Sequence, residues 1–254
     1  MQAIGLMVGS GMGAKRGILI RKGEAIQTMK EVKTIVFDKT GTITKGSPEV
    51  TNVYSVVKSD EKKLIEKVAS LENLSEHPVG KAIVNYAELK SYKKVSKFKI
   101  IRGKGVEGMI NGKKLLVGNG ALMQDNKIKL DPILEVIEDY ENDGKTTMIV
   151  SEAGKVTGVI AVADTLKDES RGVIAFLKKK GFRTVMITGD NERTAKAIAK
   201  QVGINEVIAG VLPGDKSRRV EELQRSGMVA FIGDGINDAP ALKQANVGIA
   251  MGTG

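Results

Sequence analysis

Three polar clusters, each placed directly after a short apolar run, carry the residue types that phosphoryl chemistry needs. The apolar runs have the length and composition of buried strands and are Thr34–Phe37, Thr184–Ile187 and Met228–Ile232. The clusters that follow them are Asp38-Lys39-Thr40-Gly41-Thr42, Thr188-Gly189-Asp190 and Gly233-Asp234-Gly235-Ile236-Asn237-Asp238. Because loops at the carboxyl ends of parallel strands meet at one edge of a sheet, we predict that the three clusters form one site.

The residue types in these clusters favour phosphoryl transfer. Asp38 is placed to act as a carboxylate nucleophile that forms an aspartyl phosphate. Lys216, at the start of a predicted helix, is suited to neutralise charge in the transition state. The candidate catalytic set is Asp38, Lys39, Thr40, Thr188, Gly189, Asp190, Lys216 and Asn237. The candidate oxygen ligands for Mg²⁺ are Asp38, Thr40, Asp234 and Asp238.

Each cluster taken alone also has a purely structural interpretation. An Asp or Asn at a strand end is commonly a helix cap or a turn former. Asp190, Asn237 and Asp238 all precede predicted helices. Three clusters in the same position relative to their strands, with a lysine between two of them, favour a single catalytic site over three unrelated caps.

The elements that must position these clusters alternate along the C-terminal part of the chain. Apolar residues at helical spacing predict four helices, which are Leu166–Lys180, Asn191–Val202, Asp215–Arg225 and Ala239–Ala245. A last strand is predicted at Val247–Met251. Strands that alternate with helices are typical of an α/β fold with a parallel sheet.

The middle of the chain has a different pattern. Two helical stretches, Glu61–Leu71 and Val79–Leu89, precede strand-like runs at Lys114–Val117, Thr146–Val150 and Lys155–Val162. Asn111-Gly112 and Glu152-Ala153-Gly154 are hairpin signals, which favour an antiparallel sheet. We therefore predict an α+β domain at residues 47–161, inserted into a parallel-sheet domain formed by residues 1–46 and 162–254.

Composition excludes several kinds of function. The 254 residues suit two domains, and the absence of cysteine excludes disulfides and thiolate metal sites. A single histidine, His77, excludes a multi-histidine metal site. An aromatic content of 4% leaves little for stacking on bases, so we expect no nucleic-acid partner. The net charge of +10 suits anions such as nucleotide phosphates.

The three clusters resemble the signatures of the haloacid-dehalogenase-like phosphotransferases, and more closely those of the P-type ATPases. The sequence Asp38-Lys39-Thr40-Gly41-Thr42 matches the P-type phosphorylation motif at every position. Residues 188–190 and 233–240 match the other two signatures of that family. Ser75-Glu76-His77-Pro78 resembles the signature of the heavy-metal-transporting subgroup. The resemblance extends over essentially the whole chain.

The resemblance implies ATP as the substrate and Mg²⁺ as the cofactor. The positions that match the family's ATP contacts are Glu72, His77, Gly103, Gly105, Gly118 and Asn119. In that family His77 would orient the adenine end, and Gly103 and Gly105 would let the backbone approach the nucleotide. Domain closure about a hinge at Lys45–Pro48 and Ala161–Thr165 would bring the γ-phosphate to Asp38.

The resemblance also implies a larger protein around this chain. It would be the cytosolic catalytic part of an integral plasma-membrane pump, with copper export favoured over zinc or cadmium transport. Its partners would be an actuator domain and transmembrane domains, and residues 7–24 would lead out of a core membrane helix. The transported ion would not be bound here, because the intramembrane cysteine motif is absent from this sequence. No run of about 20 apolar residues is present, and the chain stops just after its last predicted strand, as a piece of a longer protein would.

Two other functions fit parts of the sequence. A free-standing phosphohydrolase of the same superfamily needs a general acid at position 40, where this chain has Thr40. A nucleotide-sensing module would need the ATP contacts but not Asp38, Thr188, Lys216 and Asp234. The intact set of these four residues argues against that second alternative.

Two glycine motifs have weaker interpretations. The pattern at residues 9–14 fits a dinucleotide-binding loop, but Gly17 interrupts the helix that should follow it. Gly144-Lys145-Thr146 is similar to the end of a phosphate-binding loop, but the first glycine of that motif is replaced by Asp139. We predict that this second segment is a turn entering a strand.

Overall fold

The computed structural model describes residues 11–57 and 60–252. Residues 7–10 of the segment predicted to leave a membrane helix lie outside the described residues, as do the first two residues of the dinucleotide-like pattern. No helix in the described part of the chain combines the length and the apolar character needed to cross a membrane.

Strands and helices alternate at both ends of the chain, and the middle is dominated by strands. The strands are β1 (Val32–Asp38), β2 (Thr44–Ser55), β3 (Val95–Ile101), β4 (Gly105–Ile110), β5 (Lys113–Gly118), β6 (Thr146–Glu152), β7 (Lys155–Leu166), β8 (Arg183–Ile187), β9 (Glu206–Ile208), β10 (Met228–Gly233) and β11 (Val247–Ala250). The helices are α1 (Glu24–Met29), α2 (Glu61–Glu72), α3 (Pro78–Ala87), α4 (Gly120–Asp125), α5 (Leu134–Asn142), α6 (Ser170–Lys179), α7 (Glu192–Val202), α8 (Lys216–Gln224) and α9 (Ala239–Gln244).

The first sheet is parallel throughout and has the strand order β11-β10-β1-β8-β9. Strand β1 is central, with β10 on one side and β8 on the other. Phe37 pairs with Ile232 and Asp38 pairs with Ile187, so the three strands end at the same edge. This arrangement confirms the predicted α/β class.

Both faces of the parallel sheet are buried, because its central strands alternate their side chains between two cores. Ile35 and Phe37 pack with α1, α6 and α7 on one face. Val36 packs on the other face, where Val220 of α8 and Ala241 of α9 cover the sheet. Burial on both sides explains why these strands are almost continuously apolar in the sequence.

The second sheet is antiparallel, with the order β2-β7-β6-β5-β4-β3. Helices α2 and α3 cover one face, where Val117 and Val150 are fully buried. Helices α4 and α5 cover the other face through neighbouring residues of the same strands, such as Leu116 and Ile149. The predicted α+β architecture with an antiparallel sheet is therefore confirmed.

The sequence prediction did not include helices α1, α4 and α5 or strands β2, β4 and β9. Two further features need correction. The helix predicted to begin at Leu166 begins at Ser170, because Leu166 is the last residue of β7 and pairs with Thr44. Strand β3 was not expected, since only three of its seven residues are even half-buried and their apolar character is interrupted by lysines. It forms because β4 supplies its hydrogen-bonding partner at the edge of the sheet.

Strands β2 and β7 of the second sheet connect the chain to the elements of the first sheet, and they are tied together at the end that faces those elements. The Asp164 carboxylate accepts hydrogen bonds from the Thr44 hydroxyl at 2.5 Å and from the backbone N–H groups of Gly46 and Ser47 at 3.0 and 3.2 Å. Gly46 has a φ of +77°, and a Cβ there would lie 3.1 Å from Cα of Gly41. The end of the Asp38 loop is therefore held against the start of β2.

The domain boundaries at residues 46/47 and 161/162 stay a prediction.

Gly158 of β7 provides a test of how closely β2 and β7 approach. A Cβ at this position would lie 2.2 Å from the carbonyl oxygen of Tyr54, which belongs to the neighbouring backbone and cannot swing away. We expect Gly158→Ala to lower the free energy of unfolding by about 1–3 kcal/mol, measured by urea denaturation. Gly172→Ala in α6 is the control, because a Cβ there meets nothing within 4 Å. Equal stability of the two variants would contradict the packing described.

Candidate active site

A buried lysine joins two carboxylates at the carboxyl edge of the parallel sheet. Lys216, the first residue of α8, donates to Oδ1 of Asp38 at 2.6 Å and to Oδ1 of Asp238 at 2.7 Å. All three residues are buried, and the side chain of Asp238 is fully enclosed. Asp38 is the last residue of β1, and Asp238 follows β10, so the sheet itself brings the two carboxylates together.

The Asp38 carboxylate is subject to opposing electrostatic effects in this group. Burial raises the pKa of Asp38 to about 6, with the Lys216 ammonium opposing the rise and the Asp238 carboxylate adding to it. Burial acts to lower the pKa of Lys216, but its two carboxylate partners raise that pKa above its ordinary value. At pH 7 the site therefore holds an ionised Asp38 beside a charged Lys216.

A second ion pair lies beside the first. The Lys39 ammonium lies 2.6 Å from Oδ2 of Asp190, which also accepts from the Thr188 hydroxyl at 2.9 Å. Oδ1 of the same carboxylate accepts from the Thr146 hydroxyl at 3.0 Å. Burial acts to raise the pKa of Asp190, but Lys39 and the hydroxyl donors hold it below its ordinary value. Asp190 is thus an ionised, fully engaged carboxylate at the end of β8.

The Asp234 loop lies against the Asp38 loop. A Cβ on Gly41 would be 3.6 Å from Cβ of Asp234. The Asp234 carboxylate accepts from the backbone N–H groups of Ile236 and Asn237 at 3.1 and 3.0 Å and from Nδ2 of Asn237 at 2.6 Å. These contacts shape the loop while leaving Asp234 partly exposed at the mouth of the site.

The donor chemistry of this edge suits a magnesium ion. Among residues 11–57 and 60–252 no three acidic or histidine side chains lie close enough to form a metal site by themselves. Mg²⁺ usually takes only one or two carboxylates and completes its shell with water and substrate phosphate. Asp38 and Asp234, with an oxygen of exposed Thr40, provide such a partial set. Asp238 is placed differently, because Lys216 holds its Oδ1 and the Asp234 N–H, at 3.2 Å, its Oδ2.

The remaining residues of the polar clusters at this edge differ in their exposure. Gly189 and Asn237 are exposed, and Thr188 is buried, with its backbone N–H bonded to the carbonyl of Ile208. Thr42 is buried, and its hydroxyl has no hydrogen-bond partner in the described part of the chain. The structure therefore brings the Asp38, Asp190, Lys216 and Asp234 groups to one edge.

A second group of predicted residues lies where α2 ends and α3 begins. Glu72 is buried at the end of α2, and burial raises its pKa to about 7, with a hydrogen bond from Ser75 opposing the rise. The Ser75 hydroxyl in turn accepts from the backbone N–H of His77 at 3.2 Å. Ser75 therefore links Glu72 to His77.

The capping role of His77 fixes its protonation pattern. His77 precedes Pro78 at the N-terminus of α3, and its Nδ1 accepts from the Val79 N–H at 3.3 Å. Partial desolvation lowers the pKa of His77, so the neutral ring is favoured. Because Nδ1 is the acceptor, the proton of the neutral ring is on Nε2, where it can serve as a donor to a ligand.

The predicted glycines have a structural cause that needs no ligand. Gly105 and Gly118 pair across β4 and β5, and a Cβ on Gly118 would lie 2.1 Å from the Lys104 carbonyl oxygen. Gly103 has a φ of +72°, and a Cβ there would lie 2.6 Å from a methyl group of Leu212, beyond β9 of the first sheet. Asn119 caps α4 and donates to the Gly103 carbonyl at 2.9 Å. These four residues therefore lie together where β4 begins and β5 ends.

Three residues that sequence reasoning missed take part in these groups. Ser75 lies within the Ser-Glu-His-Pro motif, so the motif itself was the available signal. Thr146 and Glu141 belong to the inserted region but contact Asp190 and the start of α7. Their spacing from the polar clusters carries no indication of these contacts.

The chain belongs to the haloacid dehalogenase-like hydrolases. The model of that family matches residues 32–246, which include every strand of the parallel sheet except β11. The site geometry agrees with this membership, because the carboxylate at the end of β1 lies at the centre of the site.

Within that class, the chain corresponds to the catalytic domain of heavy-metal P-type ATPases. A copper-exporting P-type ATPase of Staphylococcus haemolyticus (strain JCSC1435) is 48% identical over 252 residues, which cover 98% of this chain and 31% of that protein. A copper-exporting P-type ATPase of Staphylococcus aureus (strain JH9) is 46% identical over 253 residues, with the same coverage. The chain thus spans 31% of the length of these relatives.

Solved structures give the same assignment. The catalytic domain of the CPx-ATPase CopB-B, in a study of its conformational changes upon nucleotide binding, is 31% identical with a TM-score of 0.73, and the match covers 96% of this chain and 88% of that one. A zinc-transporting PIB-type ATPase in the E2.Pi state is 36% identical with a TM-score of 0.67, and the match covers 98% of this chain and 41% of that one.

The raised pKa of Glu72 predicts a pH-dependent stability. Because its pKa rises from 4.5 to about 7 on folding, the protonated carboxyl contributes stability that is fully present below pH 4.5 and lost as pH rises through 7. The wild-type free energy of unfolding should therefore fall relative to Glu72→Gln by about 3 kcal/mol between pH 4.5 and about 8. Urea denaturation across this range measures the difference. Glu61→Gln, at the exposed start of α2, controls for the loss of one carboxylate, and a Glu72→Gln difference that does not vary with pH would contradict the assignment.

Proposed function

We propose that this chain is the ATP-binding catalytic part of a copper-exporting P-type ATPase, in which ATP phosphorylates Asp38. The observation that carries the proposal is the buried Asp38 carboxylate, held by Lys216 at the end of a central strand of the parallel sheet. The identity of 46–48% to copper-exporting pumps, against 36–37% to zinc-transporting ones, supports copper as the transported metal.

The chain's own residues supply most of the chemistry of the transfer. Lys216 holds Oδ1 of Asp38, so we assign attack on the γ-phosphorus to Oδ2; an oxygen–phosphorus bond forms and the bond to ADP breaks. Lys216 and Lys39 place two cations beside the charge that moves onto the transferred group. The backbone N–H of exposed Gly189 offers a donor to phosphate oxygens, whereas that of Thr188 is already bonded to the Ile208 carbonyl.

Magnesium would be held by Asp38, Asp234 and an oxygen of Thr40. When bound, it would neutralise charge on the substrate phosphates. Asp238 acts on Lys216 instead, because both its carboxylate oxygens are already engaged.

We assign nucleotide recognition to the second group of residues. This group lies on the antiparallel-sheet side and consists of Glu72, His77 and the four residues where β4 begins and β5 ends, which are Gly103, Gly105, Gly118 and Asn119. Its polar contacts to the nucleotide would be Nε2 of His77 and the buried Glu72 carboxyl. In the whole protein, this part would lie on the cytosolic side of the membrane. It would work with an actuator domain and with the membrane domains that carry the metal.

The phosphorylated residue can be identified by labelling. Incubation of the 254-residue chain with γ-labelled ATP and Mg²⁺, followed by acid quench, should give an acid-stable label that hydroxylamine removes. Asp38→Asn should abolish the label because the nucleophile is lost, and should leave ATP affinity unchanged. Asp168→Asn is the matched control and should label normally, because Asp168 is exposed, whereas its neighbour Lys167 contacts the Asp38 loop through the Gly41 carbonyl. A label that persists in Asp38→Asn, or its absence from the wild type at saturating ATP, would contradict the proposal.

The contribution of His77 to nucleotide binding can be separated from its capping role. Asn is also a good N-cap, so His77→Asn should preserve the start of α3 while removing the Nε2–H donor. We expect the Kd for ATP, measured by calorimetry, to rise about tenfold in His77→Asn with little change in Tm. Glu76→Gln, at the exposed neighbouring position, should bind as the wild type does. An unchanged Kd in His77→Asn would exclude His77 from the nucleotide site.

A further inference from the structure

The corner between α5 and β6, residues 141–147, packs on the start of α7 in the other sheet's domain. Gly144 turns the chain with a φ of +81°, and a Cβ there would lie 2.9 Å from Cδ1 of Ile198. The buried Glu141 carboxylate accepts from Nδ2 of Asn191 at 2.8 Å and from Nη1 of Arg193 at 3.2 Å. The corner is therefore attached by polar contacts to the residues that follow Asp190.

Thr146 is the residue of this corner that reaches the phosphoryl-transfer site. Its hydroxyl donates to Oδ1 of Asp190 at 3.0 Å, while Lys39 and Thr188 occupy Oδ2. Without the Thr146 bond, the carboxylate would be held on one oxygen only. The Thr146 hydroxyl thus fixes the rotation of Asp190 and, with it, the direction in which Asp190 holds the Lys39 ammonium.

The corner has no feature that would direct it toward a phosphate itself. Lys145 pairs with Asp143 at 3.1 Å and lies 5.4 Å from the centre of the Tyr140 ring. The similarity of Gly144-Lys145-Thr146 to the end of a phosphate-binding loop therefore does not extend to its contacts. The chemistry of Thr146 is that of a donor to a carboxylate.

We propose that Thr146 is a positioning residue for the phosphorylation of Asp38, acting through Asp190 on Lys39. The inference rests on the proposed function, since Lys39 directly follows the proposed nucleophile. Because Thr146 belongs to the inserted region and Asp190 to the parallel sheet, the bond forms only when the two are docked as they are here. Docking of the nucleotide-binding part would in this way complete the arrangement of charges at Asp38.

The test compares two threonines whose hydroxyls each donate one hydrogen bond across the interface between the corner and the parallel-sheet domain. Thr146→Val removes the bond to Asp190, whereas Thr194→Val removes a bond from the Thr194 hydroxyl to the Lys145 carbonyl, at 2.9 Å, and leaves Asp190 untouched. We expect single-turnover labelling by γ-labelled ATP to slow about tenfold in Thr146→Val, with the Kd for ATP within about twofold of wild type. Thr146→Ser should restore the rate, and Thr194→Val should keep it. Equal rates in Thr146→Val and wild type, or equal slowing in both valine variants, would overturn the proposal.

A second measurement needs no turnover and separates this proposal from the proposed function. The ¹H–¹⁵N signal of the Lys39 ammonium, identified by its loss in Lys39→Gln, should shift or broaden in Thr146→Val and stay in place in Thr146→Ser and Thr194→Val. An unlabelled wild type would contradict phosphorylation of Asp38, and the Lys39 signal would still decide whether Thr146 orients the ion pair. An unchanged Lys39 signal in Thr146→Val would overturn the positioning role whatever the labelling shows.

Discussion

The contact of Lys216 with Asp38 and Asp238 is the interaction on which the rest of the site depends. Two desolvated carboxylates side by side repel each other, and removal of the cation between them would leave both uncompensated. The parallel sheet makes the group possible, since β1 and β10 end together and α8 begins with the lysine. The one ammonium offsets only part of the negative charge at this edge, which agrees with the proposal that a divalent cation binds near Asp38 and Asp234.

The second ion pair, Lys39 with Asp190, gives the site its connection to the rest of the chain. Asp190 is reached from both sheets, through Thr188 on one side and Thr146 on the other. The junction strands β2 and β7 form the covalent link between the same two regions, with Asp164 holding the start of β2. The proposed phosphoryl-transfer site and the proposed nucleotide-binding region are thus joined both through the backbone and through one largely buried carboxylate.

The parts of this arrangement that depend on local sequence could be predicted. Apolar runs placed β1, β8 and β10, and the polar residues after each run located Asp38, Asp190 and Asp234. The hairpin signal at Asn111-Gly112 also predicted an antiparallel sheet, and the signal lies between β4 and β5, which pair in that way.

The parts that depend on contacts between distant segments could not be predicted in this way. Strand β3 exists because β4 pairs with it, although its own residues are largely exposed. The bond from Thr146 to Asp190 spans two regions, and no periodicity or spacing encodes it. Asp238 has the residue type of a metal ligand, and only the positions of Lys216 and of the Asp234 N–H show that both of its oxygens are already engaged.

The central claim is that Asp38 accepts the phosphoryl group. Reduction of the acid-quenched phosphoenzyme with borohydride converts a phosphorylated aspartate into homoserine, and peptide mapping by mass spectrometry locates the modified residue. We predict homoserine at position 38, dependent on ATP and Mg²⁺. Homoserine at any other aspartate, or at none after incubation with saturating ATP, would contradict the claim.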